Sequence, residues 1–120
     1  GLDEDWGVKL TNRAGVVTIG NHPPVVRDMP CYYPAYSMMV DWDGRVRVCA
    51  QDWRRATEVG DLTTQSLLEV WNCGTLRSYR MGLVHGRHGM YPCQDCNACG
   101  TLHGVGHAEA WASYYARGAS

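Results

Sequence analysis

The chain has 120 residues, with 11 Lys and Arg against 12 Asp and Glu for a formal net charge of −1. That length allows one small domain with a modest core, and the basic residues are scattered, so nothing in the charge pattern suggests a nucleic-acid or anionic-membrane surface. No apolar run reaches the roughly 18 residues that a transmembrane helix needs, and the acidic opening Gly1-Leu2-Asp3-Glu4-Asp5 does not read as a signal peptide.

Residues 1–30 read as an extended approach segment. A Gly instead of Met in first place points to a chain cut from a longer protein, with its upstream portion missing. Asn12-Arg13-Ala14-Gly15 is turn-like, residues 16–19 suit a short strand, and residues 20–24 a loop. A β-hairpin follows. Residues 37–42 and 45–50 flank Asp43-Gly44, a dipeptide suited to a two-residue type I′ turn because both central positions need positive φ. This register sets Trp42 opposite Arg45, Val40 opposite Arg47 and Met38 opposite Cys49. Cys49 then lies at the open end of the hairpin, and the loop of residues 32–36 turns Cys31 back beside it.

After a loop over residues 53–61, Ser66-Leu67-Leu68-Glu69 forms a capping box, in which hydroxyl and carboxylate each satisfy an orphan backbone N–H. Leu67, Val70 and Trp71 then fall on one buried helical face. A second helix is predicted from an N-cap at Thr75 to about Val84, with Leu76, Tyr79 and Leu83 inward and Gly86 ending it. The closing helix spans roughly residues 107–117, with Ala108, Trp111, Ala112 and Tyr115 on its apolar face and Gly118 as its stop. The fold class is α+β, a hairpin followed by two or three short helices.

Six cysteines are dense for this length. They suit a metal or cluster site, a secreted disulfide framework, or reduced structural thiols. Cys93, Cys96 and Cys99 fall within seven residues, where loops are too short to gain much from disulfide closure. Such a C-x-x-C turn presents two sulfurs to one centre and offers backbone N–H groups to thiolates. Four sulfurs from two places suit tetrahedral zinc or a cubane cluster. Zinc ribbons join two tight knuckles, whereas 17 residues separate Cys31 from Cys49, an asymmetry that leans toward iron–sulfur. A histidine-containing finger over Cys96, Cys99, His103 and His107 fails, because such fingers need about 12 residues between their Cys and His pairs and only three separate Cys99 from His103. His22, His85 and His88 sit in Gly- or Pro-flanked loops and read as solvated. Turn chemistry accounts for Asp41 and Asp43, while Asp52 is expected to hydrogen-bond backbone near the thiols.

Taken in order, Cys31-x12-Gly44-x4-Cys49, Asp52, Gly60-Asp61-Leu62, Ser66-Leu67-Leu68-Glu69-Val70-Trp71-Asn72 and Cys93-x2-Cys96 resemble the SPASM/twitch region of radical S-adenosylmethionine (SAM) enzymes. Asn12-Arg13-Ala14-Gly15 resembles the bridging segment that enters it. The resemblance implies residues 1–30 as a bridge from a missing N-terminal radical SAM domain, 31–100 as the cluster domain and 101–120 as a C-terminal helix. It also implies an auxiliary [4Fe–4S] cluster near a peptide or small-molecule substrate, serving substrate positioning or electron transfer. The ligands by position are Cys31, Cys49, Cys93 and Cys96, with Cys99 as alternative to Cys96 and Cys73 structural. Full SPASM domains carry seven cysteines for two clusters, so the shorter series here implies one. The family's catalytic signature C-x-x-x-C-x-x-C is absent, since Cys93, Cys96 and Cys99 are spaced C-x-x-C-x-x-C. The chain alone is therefore expected to be inactive, with SAM bound only by the missing domain. Its partners would be that domain and the substrate, with no nucleic acid or membrane, in the cytoplasm. A structural zinc domain for protein–protein interaction is the competing expectation.

Overall fold

A computed structural model describes residues 11–18, 24–53, 55–97 and 104–118. After the entry turn, the chain forms a one-turn helix α1 (Tyr33–Tyr36), strands β1 (Met39–Val40), β2 (Arg45–Arg47) and β3 (Gly60–Asp61), and helices α2 (Leu67–Trp71), α3 (Gly74–Gly82) and α4 (Val105–Ala116). The three strands make one antiparallel sheet in the order β1-β2-β3. The architecture is α+β, as the sequence predicts.

The hairpin register differs from the expected one by a single residue. Met39 pairs with Arg47 and Val40 with Val46, and the Asp41 N–H donates to the Arg45 carbonyl at 2.8 Å. The loop is therefore Trp42-Asp43-Gly44, closed by the Gly44 N–H on the Asp41 carbonyl at 3.0 Å. Gly44 has φ +90°, the left-handed residue that follows the turn in a three-residue hairpin loop. Asp43 is not part of a type I′ pair. Its carboxylate accepts instead from the Arg45 N–H at 3.1 Å. Because side chains alternate along a strand, this one-residue change exchanges every cross-strand partner.

Strand β3 lies inside the segment that the sequence suggests is loop. It joins through the Val59 N–H on the Val46 carbonyl and the Leu62 N–H on the Gly44 carbonyl, both 2.9 Å. Gly60 is required there by packing, since a Cβ would stand 2.6 Å from a Val70 methyl of α2. Residues 16–18 are not a strand. They follow a turn in which Arg13, Ala14 and Gly15 all have positive φ and the Val17 N–H reaches the Asn12 carbonyl at 2.8 Å.

The Ser66–Glu69 capping box forms as expected, with both reciprocal bonds present. The helix it starts is only five residues long, so Val70 alone is fully inward and Leu67 is 57% exposed. Helix α3 begins after an N-cap at Cys73 rather than Thr75. A 3₁₀ turn over Leu83–His85 extends it to Gly86, with Leu76 and Leu83 buried and Tyr79 half-buried. Val46, Val48, Val59, Val70 and Leu76 form the apolar core between sheet and helices, each buried side chain contributing about 1.5–3 kcal/mol. Helix α4 buries Ala108 and Tyr115 against this body. Trp111 lies across α1, its indole N–H donating to the Ala35 carbonyl at 2.8 Å. No helix among the described residues is long and apolar enough to cross a membrane.

Candidate metal centre

Beside the apolar core lies a second, smaller interior. Cys31, Cys49, Cys93 and Cys96 border one cavity, together with Ala14, Tyr33, Pro34, Val48, Gln51, Asp52, Leu83, Arg87 and Pro92. Three separate chain segments bring the thiols there. Cys31 is fixed by its backbone N–H on the Leu83 carbonyl at 3.1 Å, just before α1 turns the chain away. Cys49 follows β2, so the sheet sets its position. Cys93 and Cys96 bracket a 3₁₀ turn over Cys93–Asp95, with the Cys96 N–H bonded to the Cys93 carbonyl at 3.0 Å. Cys99 lies outside the described residues.

The β2 exit is held by a buried polar knot. Arg47 pairs with Asp41 at 3.0 Å and donates to the Thr57 and Arg55 carbonyls at 2.8 and 3.1 Å. Asp52, 7% exposed, accepts from the Ala56 N–H, the Thr57 N–H and the Thr57 hydroxyl at 3.0, 2.9 and 2.7 Å. The Thr57 hydroxyl oxygen in turn accepts from the Val48 N–H at 3.0 Å. The expectation that Asp52 bonds backbone beside the thiols agrees with this geometry, and its work there is to shape the Cys49 loop.

On the other side the entry turn clamps the C-x-x-C segment. The Asn12 N–H donates to Asn97 Oδ1 at 2.7 Å, the Asn97 N–H returns to Asn12 Oδ1 at 3.1 Å, and Asn12 Nδ2 reaches the Asp95 carbonyl at 2.8 Å. Ala14, 2% exposed, packs against Cys96 and Tyr33. Arg13 bonds Gln51 Oε1 at 3.1 Å and lies over the Trp53 ring at 5.1 Å. Beneath the cavity Arg87, 2% exposed, donates to the Met29, Pro30 and Cys96 carbonyls at 3.1, 3.4 and 2.6 Å. These contacts are not legible from residue spacing. Asn12 stands out only within its turn, and Arg87 only as the residue after a helix-ending Gly.

Burial pushes Cys31 up, Cys49 up to about 11 and Cys93 up to about 12, with neighbouring thiolates adding to the rise in each. Backbone donors oppose it in part: the Tyr33 N–H at Cys31, and the Gln51 N–H at Cys49 Sγ, 3.4 Å away. In both cases the donor lies two residues after its cysteine. Among the described residues, no three His, Cys, Asp or Glu side chains meet as a single-ion site; the four thiols border a cavity instead. Cys73 stands apart, packed against the apolar core with its Sγ 3.4 Å from the Val59 carbonyl. His85 is exposed, His88 pairs with Asp28 at 2.7 Å, and His107 contacts the Tyr36 ring with centroids 5.6 Å apart. His22 and His103 lie outside the described residues.

Four thiols, backbone N–H donors aimed at sulfur and a buried guanidinium, in walls that are otherwise apolar apart from Tyr33, Gln51 and Asp52, fit an iron–sulfur cluster. Comparison with known proteins agrees. The family model for SPASM, an iron–sulfur cluster-binding domain, matches residues 31–100. The S-adenosyl-L-methionine-dependent 2-deoxy-scyllo-inosamine dehydrogenase of Niallia circulans is 28% identical over 90 residues, covering 73% of this chain and 35% of that enzyme. The chain thus spans about a third of the length of the curated relative it matches. No solved structure gives a significant match.

Proposed function

The chain belongs to the SPASM family of iron–sulfur cluster-binding domains, and on that premise we propose that Cys31, Cys49, Cys93 and Cys96 hold one auxiliary [4Fe–4S] cluster in a radical SAM enzyme. The observation that carries this reading is the convergence of these four thiols, from three chain segments, on one cavity. Zinc draws four sulfurs to about 2.3 Å from a single ion, whereas a cubane takes each thiolate at a different iron corner. Four thiols placed around one cavity by three chain segments suit the second arrangement.

Held there, the cluster supplies a one-electron site and a rigid wall beside a substrate, a peptide or small molecule bound chiefly by the catalytic domain. The chain's own residues prepare the place. Gln51 and Tyr33 offer N–H groups to sulfur, which favours the thiolate form needed for ligation. Ala14, Val48, Leu83 and Pro92 keep water from the interior. Asn12 ties the entry segment, read as the bridge from a radical SAM domain of the same protein, to the C-x-x-C turn. The match to an SAM-dependent dehydrogenase over a third of its length supports this placement within a larger enzyme.

SAM cleavage needs an iron with an open site, and four protein thiolates leave none. Two measurements on the 120-residue chain, purified anaerobically, test the reading. A brown protein with broad absorption toward the blue, which forms no 5′-deoxyadenosine with dithionite and SAM, is expected. A colourless zinc protein would favour the structural zinc domain, and turnover above a cluster-free control would make Cys93, Cys96 and Cys99 a catalytic ligand set.

A further inference from the structure

Among the described residues, Arg87 is the one cation on the wall of the thiol cavity, and a buried guanidinium is costly unless nearby groups compensate it. Its side chain donates to three backbone carbonyls, those of Met29, Pro30 and Cys96. Two of these carbonyls lie immediately before Cys31 and the third belongs to Cys96 itself. The Arg87 N–H adds a fourth tie, to the Arg27 carbonyl at 2.5 Å. The planar fork thus spans two ligand segments that are 65 positions apart in sequence, a geometry that a lysine ammonium does not reproduce.

We propose that Arg87 is a positioning and charge-balancing residue for the cluster, its fork holding the Cys31 and Cys96 segments together and its charge favouring the reduced form. The proposal rests on the four-cysteine reading above. A cluster bound by four thiolates carries net negative charge, and reduction adds one more electron to it. A fixed positive charge on the wall of a buried cavity stabilises the more negative state, because low polarity weakens screening, while the Asp52 carboxylate on the same wall is engaged by three hydrogen-bond donors.

The two roles separate in two variants of the 120-residue chain, each reconstituted anaerobically and titrated electrochemically by electron paramagnetic resonance. Arg87→Lys keeps the charge and loses the fork; Arg87→Gln loses both. The expected result is reduced cluster content in both, with the midpoint potential near wild type in Arg87→Lys and shifted to more negative values in Arg87→Gln. If Arg87→Gln takes up no cluster, a loaded Arg87→Lys with near-wild-type potential supports the proposal, and an unloaded one overturns the charge role. An unchanged potential in loaded Arg87→Gln, or equal shifts in the two variants, also overturns it. Wild-type chain that takes up no iron instead sinks the cluster reading, and this proposal with it.

Discussion

The apolar core and the thiol cavity share a wall at Val48, yet they are built on opposite terms. Val46, Val48, Val59, Val70 and Leu76 are 6% exposed or less, and their burial is favourable with nothing added. The cavity buries four thiols, of which burial pushes Cys31, Cys49 and Cys93 up, a guanidinium, and groups tied by long-range bonds from residues 12 and 27 to 94–97, from Arg13 to Gln51 and from Arg87 to Met29 and Pro30. The first region supports itself. The second gains its full stability only when the thiolates are ligated, because ligand binding and folding are then one free energy. In a domain this small the apolar core alone is marginal, so a centre that joins three chain segments replaces packing that the chain is too short to supply.

The largest effect expected from this contrast is that of removing the cluster. The apo-protein should lose its sharp unfolding transition and its near-ultraviolet circular dichroism, and amide exchange should rise first around residues 12–15, 31–36 and 87–97. An unchanged, cooperative transition after complete iron removal would show that the cavity is self-supporting. Next is Leu76→Ala, which opens a cavity in the apolar core, expected to cost about 2–5 kcal/mol while the folded fraction keeps its cluster. Cluster loss in that folded fraction, followed by iron content and chemical denaturation, would show that the two regions are not separable.

Asp52→Asn lies on the boundary. Replacing a buried carboxylate that accepts three hydrogen bonds should cost about 1–3 kcal/mol and loosen the Cys49 loop, seen as slower reconstitution. Equal stability and equal reconstitution rate would remove Asp52 from the account. The smallest effect belongs to Ser66→Ala, about 1 kcal/mol from the lost cap, with cluster content unchanged.

The sequence was legible wherever local chemistry decides the outcome. The Ser66–Glu69 box, the stops at Gly86 and Gly118, the turn at Asn12–Gly15 and the four cavity cysteines are all short-range or motif features. It was illegible where a single residue of register or a long-range partner decides. Asp43-Gly44 fits two hairpin loops, and the choice between them falls on Asp41, whose carboxylate is needed beside Arg47 and whose N–H bonds Arg45. Leu67 looks like a core residue until the brevity of α2 leaves room for Val70 alone. Arg87, Asn12 and Asn97 act on partners far away in sequence, so their spacing carries no signal. Strand β3 is too short, at two residues, to show any alternation.

The most direct test of the central claim is iron and acid-labile sulfide content after anaerobic reconstitution, measured on wild type, Cys31→Ala, Cys49→Ala, Cys93→Ala and Cys73→Ala. The account predicts about four iron and about four sulfide per chain in wild type and in Cys73→Ala, with stable incorporation abolished in the other three. Full content in Cys49→Ala, or loss in Cys73→Ala, would contradict it.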